Sequence, residues 1–219
     1  MKGIIFDLDG TLAYTMDDLA AGMNAMLRQN GLPECSVAQL LANINHGARE
    51  FVRLSLPEAY RADEDFVSAR LKEYDRYYGA HFLDTTYAYP GVTEALAELR
   101  RMGVKLAVLS NKQHPRTAAL CAHLFPAGTF EVVMGHAEYP TKPDPAAALA
   151  IAGQFGLEVS EIAFVGDSDV DMDTAHNAGM TAVGVSWGFR SADFLREHGA
   201  QYLIARGEDL AVLASDFDA

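Results

Sequence analysis

Short apolar runs rich in β-branched residues recur along the chain. The first, KGIIFDL at 2–8, ends in acids and Gly10, the pattern of a buried strand meeting a loop. VKLAVL at 104–109, EVVM at 131–134, IAFV at 162–165, TAVGV at 181–185 and QYLI at 201–204 read the same way. Helical patterns separate most of them, such as 93–102, closed by Gly103, and 145–155, closed by Gly156. Strands alternating with helices predict an α/β fold, with a parallel sheet covered by helices on both faces.

Between about 15 and 85 this rhythm breaks. The region offers no strand pattern, and helices are predicted over 16–29, 37–42, 48–54 and 63–78. Met16, Leu19, Ala20, Met23 and Leu27 fall at the three-and-four spacing of a core-facing stripe. The economical reading is an all-helical domain at 15–85, inserted into an α/β domain formed by 1–14 and 86–219. Pro90-Gly91 would mark re-entry into the α/β domain.

The 219 residues suffice for that arrangement, and half are apolar, which supports a sizeable core. Acids number 30 against 17 Lys and Arg, a formal net charge of -13, which argues against nucleic acid or an anionic membrane as a partner. A phosphate-bearing ligand would then need local positive partners: a metal ion, helix N-termini and a few chosen Lys or Arg. Cys35 and Cys121 have neither metal-like nor redox-like spacing, which predicts two reduced thiols in a cytoplasmic protein. The chain reaches Asp7 too soon for a secretory leader, and no stretch approaches roughly eighteen uninterrupted apolar residues.

Candidate chemistry begins at Asp7-Leu8-Asp9-Gly10-Thr11. Residues two apart in an extended segment face the same way, so Asp7 and Asp9 project together. Two carboxylates side by side repel, and a bound cation or a shared proton removes the repulsion. Gly10 permits a sharp turn that exposes N–H groups to an anion. Standing alone, such a pair reads equally well as a solvated acidic turn. A second cluster, Gly166-Asp167-Ser168-Asp169-Val170-Asp171, follows IAFV. Ser168 and Asp171 fit a capping box at the next helix, and Asp169 and Asp173 favour its dipole. Asp167 precedes that cap and lies closest to the strand, where a hard cation would want a carboxylate.

Lys142 lies in the rigid Thr-Lys-Pro-Asp-Pro loop, and Ser110-Asn111-Lys112 follows VKLAVL. A loop lysine is ordinarily a solvated charge, and a Ser-Asn pair ordinarily a helix cap or turn. Together the four clusters gather acids, a hydroxyl and a lysine at strand ends, where open α/β sheets bind ligands.

This set of Asp-x-Asp-Gly-Thr, a strand-end Ser-Asn, Lys-Pro and Gly-Asp-Ser-x-x-Asp resembles the haloacid dehalogenase-like hydrolase superfamily, in order and spacing from Lys2 to about Leu213. The resemblance implies a Rossmann-like, doubly wound sheet, with the helical insert similar to the cap of one large subgroup. Pro-Gly-Val near 90, Leu-Ser-Asn-Lys at 109–112, Lys-Pro-Asp-Pro at 142–145 and Trp-Gly-Phe-Arg at 187–190 look most like phosphoglycolate phosphatases.

What the resemblance implies is a Mg2+-dependent phosphatase of a small phosphorylated metabolite, monomeric or homodimeric, working through an aspartyl phosphate on Asp7. Asp9 would act as general acid and then base. Asp7, the Asp9 carbonyl and Asp167 would hold the metal, with Asp171 and Thr11 behind them and Asp171 also placed to brace Lys142. Ser110, Asn111, Lys142 and the N–H groups of Gly10 and Thr11 would receive the phosphoryl oxygens. His46, Gly47 and Arg49, in Asn-His-Gly-Ala-Arg between two helices, are candidates for choosing the substrate, Arg49 as a clamp on a carboxylate. Lys112 and Arg190 are further candidates beside the pocket, and Trp187 reads as packing near its mouth. A solvated surface charge explains Arg49, Lys112 and Arg190 about as well. A phosphosugar mutase similar to β-phosphoglucomutase would keep all four motifs. A sugar phosphate, a nucleotide or pyrophosphate are alternative phosphatase substrates. Asp9 argues against a dehalogenase, and the insert argues against a signalling receiver domain.

Overall fold

The computed structural model describes residues 1–44 and 46–214. They divide into two compact units, one spanning Thr15–Tyr87, the other joining Met1–Tyr14 to the chain from Ala88 onward. The strands are β1 (Gly3–Phe6), β2 (Ala13–Tyr14), β3 (Tyr87–Ala88), β4 (Lys105–Gln113), β5 (Val132–His136), β6 (Ile162–Gly166), β7 (Thr181–Val185) and β8 (Tyr202–Ile204). Six of them form one sheet in the order β5-β4-β1-β6-β7-β8, while β2 and β3 make a separate ribbon. Every pairing in the six-stranded sheet is parallel.

The order explains where a site forms. From β1 the chain adds β4 and β5 on one side, then β6, β7 and β8 on the other. The crossovers therefore diverge at β1, and a crevice opens at the strand C-termini there. Phe6 of β1 lies level with Val108 of β4 and Val165 of β6. Just beyond these three lie Asp7, Ser110 and Asp167, at the same end of the sheet.

Burial on both faces holds the sheet. Ile5, Ala107 and Phe164 pack in one cluster with Ile151 and Phe155 of α8 (Ala146–Phe155) and Met172 of α9 (Asp169–Ala178). Ile4, Phe6 and Val108, which alternate with them, are also fully buried. Helices α6 (Val92–Arg101), α7 (His114–Leu124) and α10 (Ala192–Glu197) complete this unit. The doubly wound α/β arrangement expected from the sequence is the one observed.

Strand β4 departs from expectation. Its apolar run ends at Leu109, yet pairing with β5 continues through Ser110 to Gln113 opposite His136, with a register slip on the way. Ser110 and Asn111 are thus strand residues, and Gln113 caps α7. Ser110 and Asn111 therefore form neither a helix cap nor a turn, because backbone pairing with β5, invisible in side-chain polarity, carries the strand onward.

The helical unit contains α1 (Met16–Gln29), α2 (Val37–Asn43), α3 (Ala48–Ser55), α4 (Glu58–Arg61) and α5 (Glu64–His81). The predicted stripe on α1 is buried. Phe51 of α3 meets Tyr74 of α5 edge-on at 5.9 Å, and Tyr74 stacks on Tyr78 at 5.5 Å. Helix α2 begins with a Ser36–Gln39 capping box, and Asp63 caps α5. Asp18 of α1 is a buried carboxylate with a defined job inside this unit. It accepts hydrogen bonds from the backbone N–H and hydroxyl groups of both Thr85 and Thr86, at 2.5–3.1 Å. The start of the unit is thereby tied to its end. Cys35 and Cys121 are both free thiols. Among the described residues no helix is long and apolar enough to cross a membrane.

Candidate active site

Asp7 stands one residue beyond β1, its N–H bonded to Val165 O at 2.9 Å, and its side chain is buried. Asp167 follows β6 immediately, and Asp171 lies in the first turn of α9. One oxygen from each of these three buried carboxylates falls within 4.8 Å of the other two. The capping box at α9 exists as the sequence suggests, with Ser168 Oγ accepting from Asp171 N–H. Its partner half is more elaborate. Asp171 Oδ2 accepts from Asp167 N–H at 3.1 Å, Ser168 N–H at 3.1 Å and Ser168 Oγ at 2.6 Å.

Lys142 joins the cluster from the loop before α8. Its ammonium lies 2.8 Å from Asp7 Oδ1 and 2.6 Å from Asp171 Oδ1, with only 3% of the side chain exposed. Asn111 holds this lysine in place. It accepts from Lys142 N–H at 2.7 Å and donates to Lys142 O at 3.1 Å, where a cis peptide leads into Pro143. From β4, Lys112 Nζ meets both oxygens of Asp9, at 2.9 and 2.8 Å.

The electrostatics follow from burial. Desolvation pushes the Asp7 carboxyl up to about 7, against the pull of Lys142 and with a further push from Asp171. Burial also lifts Asp167 well above the carboxylate range, followed by the charges of Asp171 and Asp7. Burial disfavours the Lys142 ammonium, but Asp171 and Asp7 outweigh it and raise its pKa. Four carboxylates, Asp7, Asp9, Asp167 and Asp171, thus face two ammonium groups, Lys142 and Lys112. When all are ionised the group carries two excess negative charges. All-oxygen donors with that deficit fit a hard divalent cation.

Asp167 is aimed by two groups. Its Oδ1 accepts from Thr11 Oγ1 at 3.0 Å and its Oδ2 from Phe189 N–H at 2.7 Å. Trp187, expected only to pack, donates from Nε1 to Thr11 O at 3.0 Å. Gly188 between them touches the site so closely that a Cβ there would lie 2.5 Å from Gly10 O and overlap Asp167 Cβ. Gly10 is equally restricted, with φ at +83° and Asp167 Oδ2 directly against the position of a Cβ. The sequence reading missed this brace from 187–189. A glycine between two aromatics just after a strand was the available signal.

Other sequence candidates fall differently. The N–H groups of Gly10 and Thr11, expected as phosphate donors, bond to Ala13 O and Leu8 O within the turn, at 2.9 and 3.3 Å. Thr11 serves through its hydroxyl instead. Asn111, also expected on the phosphate, is engaged with the Lys142 backbone. Ser110 is buried, with Oγ accepting from Lys112 N–H at 3.2 Å. Arg190 packs over the Phe194 ring at 5.7 Å. His46 is exposed and Gly47 caps α3 at φ +83°, both in the helical unit, while Asn45 of the same motif lies outside the described residues. Arg49 bonds Glu64 at 2.6 Å and Ser68 at 3.1 Å within that unit. The anion beside Arg49 in this structure is thus supplied by α5. Hydrogen bonds from Arg53 and Arg49 hold the Glu64 carboxyl down at about 2.

Comparison with known proteins supplies context for this geometry. The sequence profile of the haloacid dehalogenase-like hydrolases matches residues 4–185. A phosphoglycolate phosphatase from Mannheimia succiniciproducens is 36% identical over 198 residues, 86% of this chain and 87% of that protein. One from Haemophilus influenzae is 31% identical over 220 residues, 98% and 97% of the two chains. The crystal structure of a predicted phosphoglycolate phosphatase from Haemophilus somnus superposes with a TM-score of 0.87 at 30% identity, covering 96% of each chain.

Proposed function

The chain belongs to the haloacid dehalogenase-like hydrolase family, and from that premise we propose that it is a Mg2+-dependent phosphatase acting on a small phosphate monoester, with phosphoglycolate as the first substrate to test. The observation that carries the reading is Asp7, a buried carboxylate at a strand end that is bonded to Lys142 and lies two residues from Asp9. The named relatives support the substrate.

Asp7 attacks phosphorus in line, forming an Oδ–P bond as the ester P–O bond breaks. Asp9 gives its proton to the departing ester oxygen, which keeps the bonding electron pair. In the second half Asp9 takes a proton from water, the water oxygen bonds phosphorus, and the Asp7–phosphate bond breaks to release phosphate. Lys142, already beside Asp7, offsets the charge of the phosphoryl oxygens, and Ser110 lines the same strand edge. Asp7, Asp167 and the Asp9 carbonyl would hold Mg2+, which supplies neutralisation of phosphoryl charge and of the clustered carboxylates. Asp171 and Thr11 keep Lys142 and Asp167 in place.

Phosphate release across a panel of alkyl, sugar, nucleotide and aryl phosphates, with Mg2+ or with chelator, tests the reading. Turnover of small monoesters is expected with Mg2+ and not with chelator. Asp7→Asn should lower kcat by roughly a thousandfold or more with the fold intact by circular dichroism. Near-native turnover by that variant, or full activity in chelator, refutes the proposal.

A further inference from the structure

We propose that Lys112 is the positioning residue of Asp9, an inference that rests on the phosphatase reading above. The ammonium straddles the carboxylate, 2.9 Å from Oδ1 and 2.8 Å from Oδ2, and the two side chains are only 6% and 13% exposed. A solvated surface lysine has neither property. Its own backbone is fixed on both sides: Lys112 N–H donates to Ser110 Oγ at 3.2 Å, and Lys112 O accepts from Thr117 Oγ1 at 3.2 Å. Lys112 therefore sits on a rigid element, and its reach to Asp9 is set by the strand.

The same geometry accounts for the extra length of β4. Asp9 projects from the loop after β1, two residues from Asp7. Continuing β4 past Leu109, with the register slip between Ser110 and Gln113, delivers a cation to the outer side of Asp9. Two hydrogen bonds from one ammonium then fix both its distance and its rotation. A proton donor must lie within hydrogen-bond reach of the leaving oxygen, and displacement by about 1 Å removes on the order of a hundredfold in rate.

Lys112 has one competing role, direct contact with a carboxylate on the substrate, and substrates of three kinds separate the two. Ethyl phosphate needs a proton donor for its leaving group and has no second anion. Phosphoglycolate needs the donor and has a carboxylate. p-Nitrophenyl phosphate leaves as a stable phenolate and depends little on the donor. Because kcat/KM reports events up to leaving-group departure, it isolates the proton-donating step.

The experiment compares Lys112→Met and Lys112→Arg with the wild type, after thermal melts establish folding. The expected result for Lys112→Met is a fall in kcat/KM about ten- to a hundredfold greater on both alkyl esters than on the aryl ester, with KM little altered. Lys112→Arg, which keeps the charge, should recover part of the loss. Equal losses on all three substrates overturn the inference, as does a loss confined to phosphoglycolate and expressed in KM. A Lys112→Met variant that does not fold leaves Lys112→Arg to decide. A shift in the ratio of alkyl to aryl kcat/KM supports the role, and an unchanged ratio overturns it. A wild type that hydrolyses no phosphate ester would instead sink the phosphatase reading itself.

Discussion

Replacing Lys142 with methionine asks how much of this domain's stability depends on one buried charge. The ammonium is 2.8 Å from Asp7 and 2.6 Å from Asp171, and none of the three side chains exceeds 6% exposure. At an effective dielectric near 20, each contact is worth about 6 kcal/mol of attraction before the burial of the ammonium is subtracted. Removing one member of a buried pair typically costs about 3–5 kcal/mol, because the partner remains buried and uncompensated. For a chain of this size that corresponds to roughly 6–20 °C in Tm. Methionine keeps the length of the side chain and loses only the ammonium, which also lies over the Phe164 ring at 5.5 Å, so packing loss is small.

The pH dependence carries the sign. Without the lysine, Asp7 loses a cation that favoured its charged form, so its folded pKa rises further. A carboxylate whose folded pKa is raised destabilises the fold once pH exceeds its unfolded value near 4, and more so up to the folded value. The Tm deficit of Lys142→Met, measured in chelator by differential scanning fluorimetry, should therefore be large at pH 8 and much smaller at pH 5. A deficit under about 2 °C at pH 8 would refute the ion-pair account. So would an equal deficit at both pH values, which would assign the effect to packing.

Three further outcomes are expected. In chelator the wild type should lose Tm as pH rises from about 4 to about 7, because burial lifts Asp7 to about 7 in the fold; Mg2+ should restore more at pH 8 than at pH 5, and a flat profile contradicts this. Gly188→Ala forces a Cβ onto Asp167 and Gly10, so Mg2+ affinity by calorimetry should fall by about ten- to a hundredfold, and unchanged affinity would dismiss the brace. Asp18→Ala leaves the hydrogen-bond donors of Thr85 and Thr86 without their acceptor, at a cost of roughly 1–3 kcal/mol. Hydrogen exchange should then accelerate within 15–87 while the strands of the main sheet stay protected, and uniform acceleration would argue against a local role.

Much of the sheet was readable because strands buried on both faces must be apolar throughout, and β1, β6 and β7 have no polar interruption to disguise them. The acids at the C-termini of β1 and β6 were readable for the converse reason, since charge at the end of a buried strand demands a partner. The strand conformation of Asn111 and Lys112 was not, because SNKQ carries no apolar signal and its extension comes from pairing with β5. The partner of Arg49 was hidden too, since Glu64 belongs to a helix fifteen residues on, and one sequence does not reveal how α3 meets α5. Backbone contacts left least trace: Phe189 holds Asp167 through an N–H that any residue but proline offers.

The knot at Asp18 has a consequence beyond stability. An inserted segment ordinarily burdens its host with the entropy of bringing two distant chain ends together, a term that grows with the logarithm of the intervening length. Here the segment performs that closure itself, since four donor groups of Thr85 and Thr86 converge on a carboxylate near its own beginning. What the main domain receives is chemically little different from a short loop. Evolution could therefore trade one such insert for another, of different length and recognition surface, without re-solving the folding of the sheet that performs the chemistry. By the same logic the two ends offer natural seams for grafting a foreign insert between them.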